Sequence, residues 1–458
     1  MKLSHVIKCD KCYFSKDGLF LLHIVENKIF LTELNTFEIC RIYVSSYKID
    51  NVDFSNDNIH FLALIKNKGC VYIYSLYKEN IIKKIEDFCQ TYLDSIFLYK
   101  DSNICVYKYE KKCFSIYDIN NVEESLVNIE NAKFKKSGYC SNDEGSIFAC
   151  ITQNNNKIEI SLISLLNYNV INNISCNNLN PNKIFFTKEN NIIAFNNKKK
   201  SLHMYKTNGE LLFIYTYKCE LPCINVVAKN EIKNILSVGF ENGVVKILSL
   251  RDFKEIETLL LDDIIIMNQK LKIYKENISN KDTLSSILSK ESNISSHQNN
   301  KEKFAYYSNK GIKEGEYKLK HGKEKSNEYV KKNFYNKISK IGITALSFSI
   351  CGNYLAVINE NHSNVVRIYE MENHSCIAIL EQKKLVTSMY WDNILYKARL
   401  LICTNTSHLF VWLPDECAVL DMPRGFICRD AKWNCYGTVL LAKNDEKLMV
   451  FCPKENYC

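Results

Sequence analysis

The chain has 458 residues and a formal net charge of +9, from 60 basic and 51 acidic side chains. This length allows roughly two to four average domains, or one large architecture built from repeated units. The first ten residues lack the apolar core of a signal peptide, and no apolar run approaches the ~20 residues that cross a bilayer. We therefore expect a soluble, cytoplasmic protein without a membrane partner.

Aromatic and cysteine usage favours an all-β protein with reduced thiols. The chain holds 28 Tyr and 23 Phe, and aromatic side chains are enriched in strands. Because Gly and Pro are scarce, at 14 and 5, we expect Asn to form many of the tight turns. The 20 Cys are scattered through apolar runs, as at Cys105, Cys150 and Cys403. We interpret them as buried thiols and not as disulfides.

One pattern recurs along the chain: an apolar strand ending in Phe-Ser or a similar pair, a polar turn, and two further apolar strands. The first copy contains Phe14 and Ser15, and the second contains Phe54 and Ser55 at the same place. Further copies begin near Ser95, Ser137, Asn182, Ile224, Ile343, Val386 and Ile427. Apart from one gap, the copies are spaced by about 37 to 45 residues, which is the period of propeller blades.

Nine such units predict an all-β WD-repeat propeller, with one ring of about eight to nine blades. Blades 1–6 are assigned to residues 1–261 and blades 7–9 to residues 341–458, with residues 3–8 closing the last blade as its outer strand. The third strands end in an aromatic residue where WD repeats carry their Trp. These positions are Tyr74, Tyr117, Tyr205, Tyr369 and Trp412.

The regular spacing of the repeats is interrupted once, by a basic insertion between the sixth and seventh units at residues 262–340. Residues 301–340 hold twelve Lys and five Glu, which accounts for +7 of the net charge. Polar and charged residues dominate its second half, so we expect the insertion to be mostly disordered. Its candidate contacts to an acidic partner are Lys313, Lys318, Lys320, Lys323, Lys325, Lys331 and Lys332. Aromatic residues lie between the lysines, so nucleic acid is an alternative ligand, although a solvated insertion is the favoured interpretation.

Motifs for catalysis, cofactors or metals are absent or weak. The chain has no Gly-rich phosphate loop, no His-Glu-x-x-His and no Gly-x-Ser-x-Gly. Cys9 and Cys12 have zinc-knuckle spacing, but a site needs a second pair of ligands, for which His5 and His23 are the nearby candidates. The favoured interpretation is that both cysteines pack against the first strand. We therefore expect no catalytic residue, no cofactor and no resident metal.

Several segments between Lys340 and Pro414 are not required by the blade pattern. They are Lys340-Ile341-Gly342-Ile343, Leu346-Ser347-Phe348-Ser349, Ile379-Leu380-Glu381-Gln382, Trp391-Asp392, Leu401-Ile402-Cys403-Thr404 and Val411-Trp412-Leu413-Pro414. In order and spacing they resemble the WRAP-type centrosomal WD-repeat proteins, and the N-terminal half agrees more loosely. The chain departs from that family in lacking Gly-His dipeptides and most Trp-Asp pairs, and in its more basic insertion.

The resemblance implies a non-catalytic scaffold at the centrosome or spindle pole. Such a scaffold would anchor microtubule minus ends and support spindle assembly through a coiled-coil partner, with a microtubule-associated motor or tubulin as further partners. The alternative is an RNA- or ribosome-associated propeller of the translation-initiation type, favoured by the basic, aromatic insertion. An enzyme would need a pocket of converging titratable groups, which a sequence cannot display.

Overall fold

The computed structural model describes most of the chain. The described residues are 2–4, 6–78, 81–87, 89–98, 102–135, 137–154, 157–176, 179–218, 222–261, 271–276, 317–320, 342–396, 398–414 and 416–452. In these ranges the only helical segments are two 3-10 turns, Lys66–Lys68 and Glu360–His362. Within the same ranges, no helix is long and apolar enough to span a membrane.

The strands follow one another as small antiparallel sheets, one for each sequence repeat. Two short strands, β1 Lys2–Leu3 and β2 Ile7–Lys8, precede blade 1. Blade 1 contains β3 Lys11–Phe14, β4 Phe20–Val25, β5 Lys28–Glu33 and β6 Ile39–Val44, and blade 2 contains β7 Asn51–Phe54, β8 His60–Ile65, β9 Cys70–Ser75 and β10 Ile81–Glu86. Blade 3 contains β11 Tyr92–Phe97, β12 Asn103–Lys108, β13 Cys113–Asp118 and β14 Ser125–Ile129. Blade 4 contains β15 Tyr139–Ser141, β16 Ile147–Asn154, β17 Lys157–Ser164 and β18 Val170–Ser175. Blade 5 contains β19 Lys183–Phe186, β20 Ile192–Phe195, β21 Ser201–Tyr205 and β22 Leu211–Thr216, and blade 6 contains β23 Ile224–Asn230, β24 Ile235–Phe240, β25 Val244–Ser249 and β26 Glu255–Leu260. Blade 7 contains β29 Ile343–Phe348, β30 Tyr354–Asn359, β31 Val365–Glu370 and β32 Ser375–Glu381, and it is preceded in sequence by β27 Lys272–Glu276 and β28 Tyr317–Lys320. Blade 8 contains β33 Ser388–Trp391, β34 Leu400–Cys403, β35 His408–Trp412 and β36 Cys417–Asp421. Blade 9 contains β37 Asp430–Trp433, β38 Leu440–Lys443 and β39 Lys447–Cys452.

The described residues form nine sheets arranged as the blades of one propeller, which confirms the predicted fold class. In each blade the first strand lies nearest the axis, since first strands of neighbouring blades contact each other, as β15 does β19 and β33 does β37. The fourth strand is outermost and the most exposed, and in β6 the side chains of Ile39 and Val44 are more than half exposed.

The hydrophobic core consists of separate clusters, each between two neighbouring blades. In the cluster between blades 1 and 2, Tyr43 packs edge-on against Phe61 and Tyr74, with ring centres 4.9 and 5.2 Å apart. The aromatic residues that end the third strands of blades 2, 3, 5, 7 and 8 are buried in the same way, and Trp412 is only 1% exposed. A blade therefore cannot bury its apolar faces alone, which is why the sequence repeats as a complete set of units.

The Phe-Ser pair of blades 1, 2 and 7 has a structural role at the turn between the first two strands. The Ser15 hydroxyl accepts a hydrogen bond from the backbone N–H of Phe20 at 2.9 Å, and Ser55 does the same for His60. Asn142 and Asn434 use their side-chain oxygens in the equivalent turns of blades 4 and 9. These side chains are nearly fully buried, so the repeated polar residue stabilises a turn and is not a catalytic group.

Asparagine forms many of the tight turns, as its abundance predicts. Six of the twelve described non-glycine residues with positive φ are Asn, including Asn58 and Asn190. Asn adopts this left-handed conformation at lower cost than most other side chains. The chain can therefore make a strand-rich fold with few glycines.

The ring is closed by the N-terminal segment. Both β1 and β2 pair antiparallel with β39, so the outer strand of blade 9 comes from the start of the chain. A cluster that includes Leu21, Leu441 and Val450 fills the space between blades 9 and 1. The N- and C-terminal parts of the chain are thus held in one sheet, and blade 9 has no open edge at β39.

The segment assigned to a basic insertion, residues 262–340, contains two strands of blade 7. β27 pairs in parallel with β32, and β28 pairs antiparallel with β27, so this sheet has six strands. Tyr274 of β27 is 2% exposed and packs in the cluster between blades 7 and 8, while Lys275 forms an ion pair with Glu381 at 2.8 Å. The insertion assigned from the sequence therefore includes residues that pair with blade 7. The apolar run of β27 is short and charged residues follow it, so the sequence pattern did not indicate a strand. The disorder expected for the remainder lies outside the described residues.

Candidate binding groove

The propeller has two faces formed by different loops. One face, here called the connection face, carries the turns between second and third strands and the connections that lead from one blade to the next. The other, here called the turn face, carries the turns between first and second strands, such as those capped by Ser15 and Ser55.

A groove of about 920 Å³ opens on the connection face at blades 3, 4 and 5. Its lining comes from strands, from two connections between blades and from two turns between second and third strands. The lining residues are Leu93, Tyr107, Tyr109, Lys112, Asn131, Ala132, Lys133, Phe134, Lys135, Ile151, Gln153, Ile158, Asn180, Pro181, Asn182, Asn196 and Lys198. Four of these are lysines, five are carboxamides and none is acidic. We call this surface the basic groove.

Backbone hydrogen bonds hold the connection between blades 3 and 4 in place. The N–H of Ala132 donates to the carbonyl of Lys112 at 2.7 Å, and that of Lys133 donates to the carbonyl of Ile151 at 2.9 Å. Lys112 and Asn131 both have positive φ, which turns the chain sharply at the rim of the groove. The lysine side chains are therefore carried by a backbone anchored to two blades, and not by a loose loop.

The four lysines of the groove give this surface a positive charge. None of Lys112, Lys133, Lys135 and Lys198 forms an ion pair with another residue in the described part of the chain. Burial lowers the pKa of the half-buried Lys133 ammonium, and the charge of Lys135 lowers it further. Like charges held together without counter-charges attract an anionic ligand.

The floor of the groove is apolar and rigid. Tyr107 is 3% exposed, donates its hydroxyl to the carbonyl of Ala132 at 3.0 Å, and lies 4.8 Å from the ring of Phe134. By contrast, Tyr109 at the rim is 57% exposed. The groove thus combines an apolar base with a charged and carboxamide-lined rim, which is the general character of a ligand or peptide site.

The lysines predicted to contact an acidic partner are distributed differently from those of the groove. Lys318 and Lys320 lie on β28, at the outer edge of blade 7. The other predicted residues, Lys313, Lys323, Lys325, Lys331 and Lys332, lie outside the described residues. The contact itself stays a prediction.

The two zinc candidates lie at the beginning of blade 1. Cys9 is 3% exposed and donates its thiol to the carbonyl of Lys11 at 2.9 Å, and its contact with Cys12 raises the pKa of the Cys9 thiol. His23, opposite Cys12, stacks on Phe30 with ring centres 4.9 Å apart. In the described ranges, which do not include His5, no group of three or more His, Cys, Asp or Glu side chains is placed to hold a metal ion.

A small polar row near the axis involves inner strands of three blades. The hydroxyl of Tyr139 donates to the carboxylate of Asp94, and the N–H of Phe97 donates to the carboxylate of Asp53 at 2.9 Å. Burial raises the pKa of Asp53 and of Tyr139. These hydrogen bonds link blades 2, 3 and 4, which is a sufficient structural role for them.

Sequence reasoning missed the basic groove. Its lysines come from three separate places in the sequence, namely the β12–β13 turn, the connection between blades 3 and 4, and the β20–β21 turn, so they do not form one charge run. One indication of positive charge at this surface is the run Lys198-Lys199-Lys200, which follows two Asn residues in a turn between two strands. Aligning the repeats and comparing charge at equivalent turns would have placed these lysines on one face.

Comparison with known proteins agrees with this architecture. The chain is 22% identical over 415 residues to the WD repeat-containing protein WRAP73 of Mus musculus, and the match covers 90% of this chain and 86% of that protein. This similarity confirms the resemblance to the WRAP-type WD-repeat proteins. No family model matches the chain.

One solved structure shows the same fold at low sequence identity. A eukaryotic initiation factor superposes with a TM-score of 0.59 and 9% identity, over 90% of this chain and 88% of that chain. The C-terminal WD40 domain of Sif2 gives a TM-score of 0.49 and 8% identity, over 88% and 96% of the two chains. At these identities the likeness to the initiation factor concerns the fold alone.

Proposed function

We propose that this WRAP-type WD-repeat protein is a non-catalytic scaffold at the centrosome or spindle pole. In this role it anchors microtubule minus ends and supports spindle assembly together with a coiled-coil partner, a motor or tubulin being further partners. The single observation that carries the proposal is the 22% identity to the mouse WD-repeat protein across 90% of the chain. The spindle-pole role itself comes from the family that the sequence segments between Lys340 and Pro414 resemble.

The architecture is suited to a scaffold for two physical reasons. The blades are joined by buried clusters at every described junction, so the ring presents its loops on a rigid support. The two faces and the rim carry different side chains, and several partners can therefore bind at once. A scaffold needs no converging catalytic groups.

Purification from mitotic cells tests the partner part of this proposal. A tagged full-length chain is expected to co-purify a coiled-coil protein that binds it directly when both are purified. Depletion of the chain is expected to release microtubule minus ends from the poles during regrowth after cold treatment. Normal anchoring after complete depletion would contradict the proposal.

A second candidate function is binding of RNA or ribosomes. The specific observation in its favour is that the lysines of the basic groove form no ion pair with any described residue, together with the position of Lys318 and Lys320 on β28. Co-sedimentation with ribosomes that is lost when residues 277–338 are deleted would support this function. Absence of the chain from ribosomal fractions at low salt would contradict it.

A further inference from the structure

We propose that the basic groove binds an extended acidic segment of a partner protein, with an apolar side chain of that segment seated on the groove floor. This inference rests on the proposed scaffold role, because it names the chemistry of the partner that the scaffold recruits. The groove spans blades 3 to 5 on the connection face, and none of its lysines is among the residues that the sequence pattern singled out.

Charge complementarity is the first argument for an acidic ligand. The described lining contains four lysines and no acidic side chain, and none of the lysines has an ion-pair partner among the described residues. Burial and the neighbouring Lys135 make the charged form of Lys133 costly in the unbound chain, as its lowered pKa indicates. A carboxylate placed beside Lys133 stabilises the charged form of its ammonium group. The unbound groove therefore favours an anionic ligand.

The composition of the rim and floor indicates a polypeptide. Leu93, Phe134 and Ile158 are partly exposed and supply apolar surface on which a leucine-sized side chain can be buried. Carboxamides such as Gln153 can donate to and accept from a peptide backbone, because each has both N–H and C=O groups. An extended strand of protein uses both features at once.

Nucleic acid fits the groove less well. Single-stranded RNA is held by exposed rings on which successive bases stack. Of the described aromatic residues in the lining, Tyr107 is buried with its hydroxyl bonded to Ala132, and Phe134 is packed against it, which leaves Tyr109 as the exposed ring. One ring offers a single stacking platform, whereas the four lysines can each bind a carboxylate.

The basic insertion of the same chain is a poor occupant of this groove. Residues 301–340 carry twelve Lys against five Glu, so the lysines of the groove repel that segment. An acidic segment therefore has to come from another protein. Charge thus argues against occupation of the groove by its own chain.

The experiment measures binding of a short fluorescein-labelled peptide of alternating Glu and Leu to the full-length chain by fluorescence anisotropy. A peptide in which Gln replaces every Glu controls for apolar binding, and a labelled poly(U) oligonucleotide serves as the RNA probe. Two groove variants are compared, Lys133→Glu with Lys135→Glu, and Lys112→Glu with Lys198→Glu. The second pair is exposed and keeps the test valid if the first pair disturbs folding.

A matched control makes the same change of charge on the turn face. Lys188→Glu with Lys233→Glu alters two exposed lysines in the turns between first and second strands of blades 5 and 6. We expect each groove variant to bind the Glu-Leu peptide about tenfold more weakly or worse, because two attractive charges become repulsive, and the control to bind as the parent chain does. Binding of the peptide is also expected to weaken as salt is added.

Three results would overturn the inference. These are equal affinity for the Glu and Gln peptides, equal loss in the groove and control variants, and tighter binding of poly(U) than of the acidic peptide through the same lysines. Imaging of the same variants in dividing cells separates this inference from the scaffold role. If the parent chain localises to spindle poles but does not bind the peptide, only the inference fails, and the reverse result contradicts only the spindle-pole role.

Discussion

The guanidinium of Arg399 lies 4.2 Å from the ring centre of Trp433, across the boundary between blades 8 and 9. The same group is paired with the carboxylate of Asp392, which is 2% exposed, and donates to the carbonyl of Gly437 at 2.7 Å. One cation thus neutralises a buried carboxylate and joins two blades. Its removal leaves a buried charge without a partner, which is among the most costly changes in a folded protein.

We expect Arg399→Met to lower the free energy of unfolding by about 3 to 5 kcal/mol, measured by urea denaturation. Arg251→Met changes an exposed arginine and serves as the control, with an expected effect within about 0.5 kcal/mol. Adding Asp392→Asn to Arg399→Met should recover part of the loss, because the unpaired charge is gone. Equal effects of the two single arginine variants would contradict this account of the blade junction.

Deletion of residues 1–8 tests the closure of the ring. This removes β1 and β2 from their pairing with β39 and exposes the cluster between blades 9 and 1. We expect a loss of about 2 kcal/mol or more, since at least one apolar side chain loses its packing, together with concentration-dependent association through the open edge. Thermal melting and light scattering measure both effects. Removal of residues 453–458 is the control, and an equal change in both truncations would argue against closure by the N-terminal segment.

Stability should fall in mild acid because of His23. Burial lowers the pKa of this side chain from its ordinary 6.5 to about 4, so the folded state holds it neutral. Between those two pH values the unfolded chain binds more protons, and the free energy of unfolding decreases by up to ~1.4 kcal/mol per pH unit as the pH falls. In His23→Phe this contribution is absent, and a smaller slope in pH-dependent urea denaturation is expected. His203, whose pKa is also lowered by burial, keeps its contribution in the variant.

Thiol labelling tests the interpretation of the cysteines as core residues. Cys40 and Cys89 are exposed, whereas Cys105 and Cys150 are buried and burial raises the pKa of both thiols. We expect a maleimide to modify the first two rapidly in the native chain and the last two only after unfolding, as read by mass spectrometry. Rapid native labelling of Cys150 would show that the junction between blades 3 and 4 opens.

The fold was predictable because most repeats carry the same local chemistry. A buried Ser or Asn caps the first turn of several blades, as Ser55 does, and an aromatic residue such as Tyr74 ends the third strand and packs against the preceding blade. These residues recur at a fixed period, so one sequence is enough to count the units. The same period could not assign β27, since it pairs in parallel with β32 outside the four-strand pattern.

The candidate site was not predictable for a different reason. The cations of the basic groove, such as Lys112 and Lys198, are spread over blades 3 to 5 and meet only when the ring forms. A local run of lysines in the insertion dominated the sequence instead. Charge concentrated along the chain and charge concentrated in space are different quantities, and only the second defines a binding surface.

The proposed role as a spindle-pole scaffold is best tested by imaging the tagged full-length protein in dividing cells. We predict enrichment at both poles through mitosis, retained in Lys188→Glu with Lys233→Glu and reduced in Lys133→Glu with Lys135→Glu. A signal that stays diffuse at every stage of division, from a chain that is intact and folded, would contradict the claim.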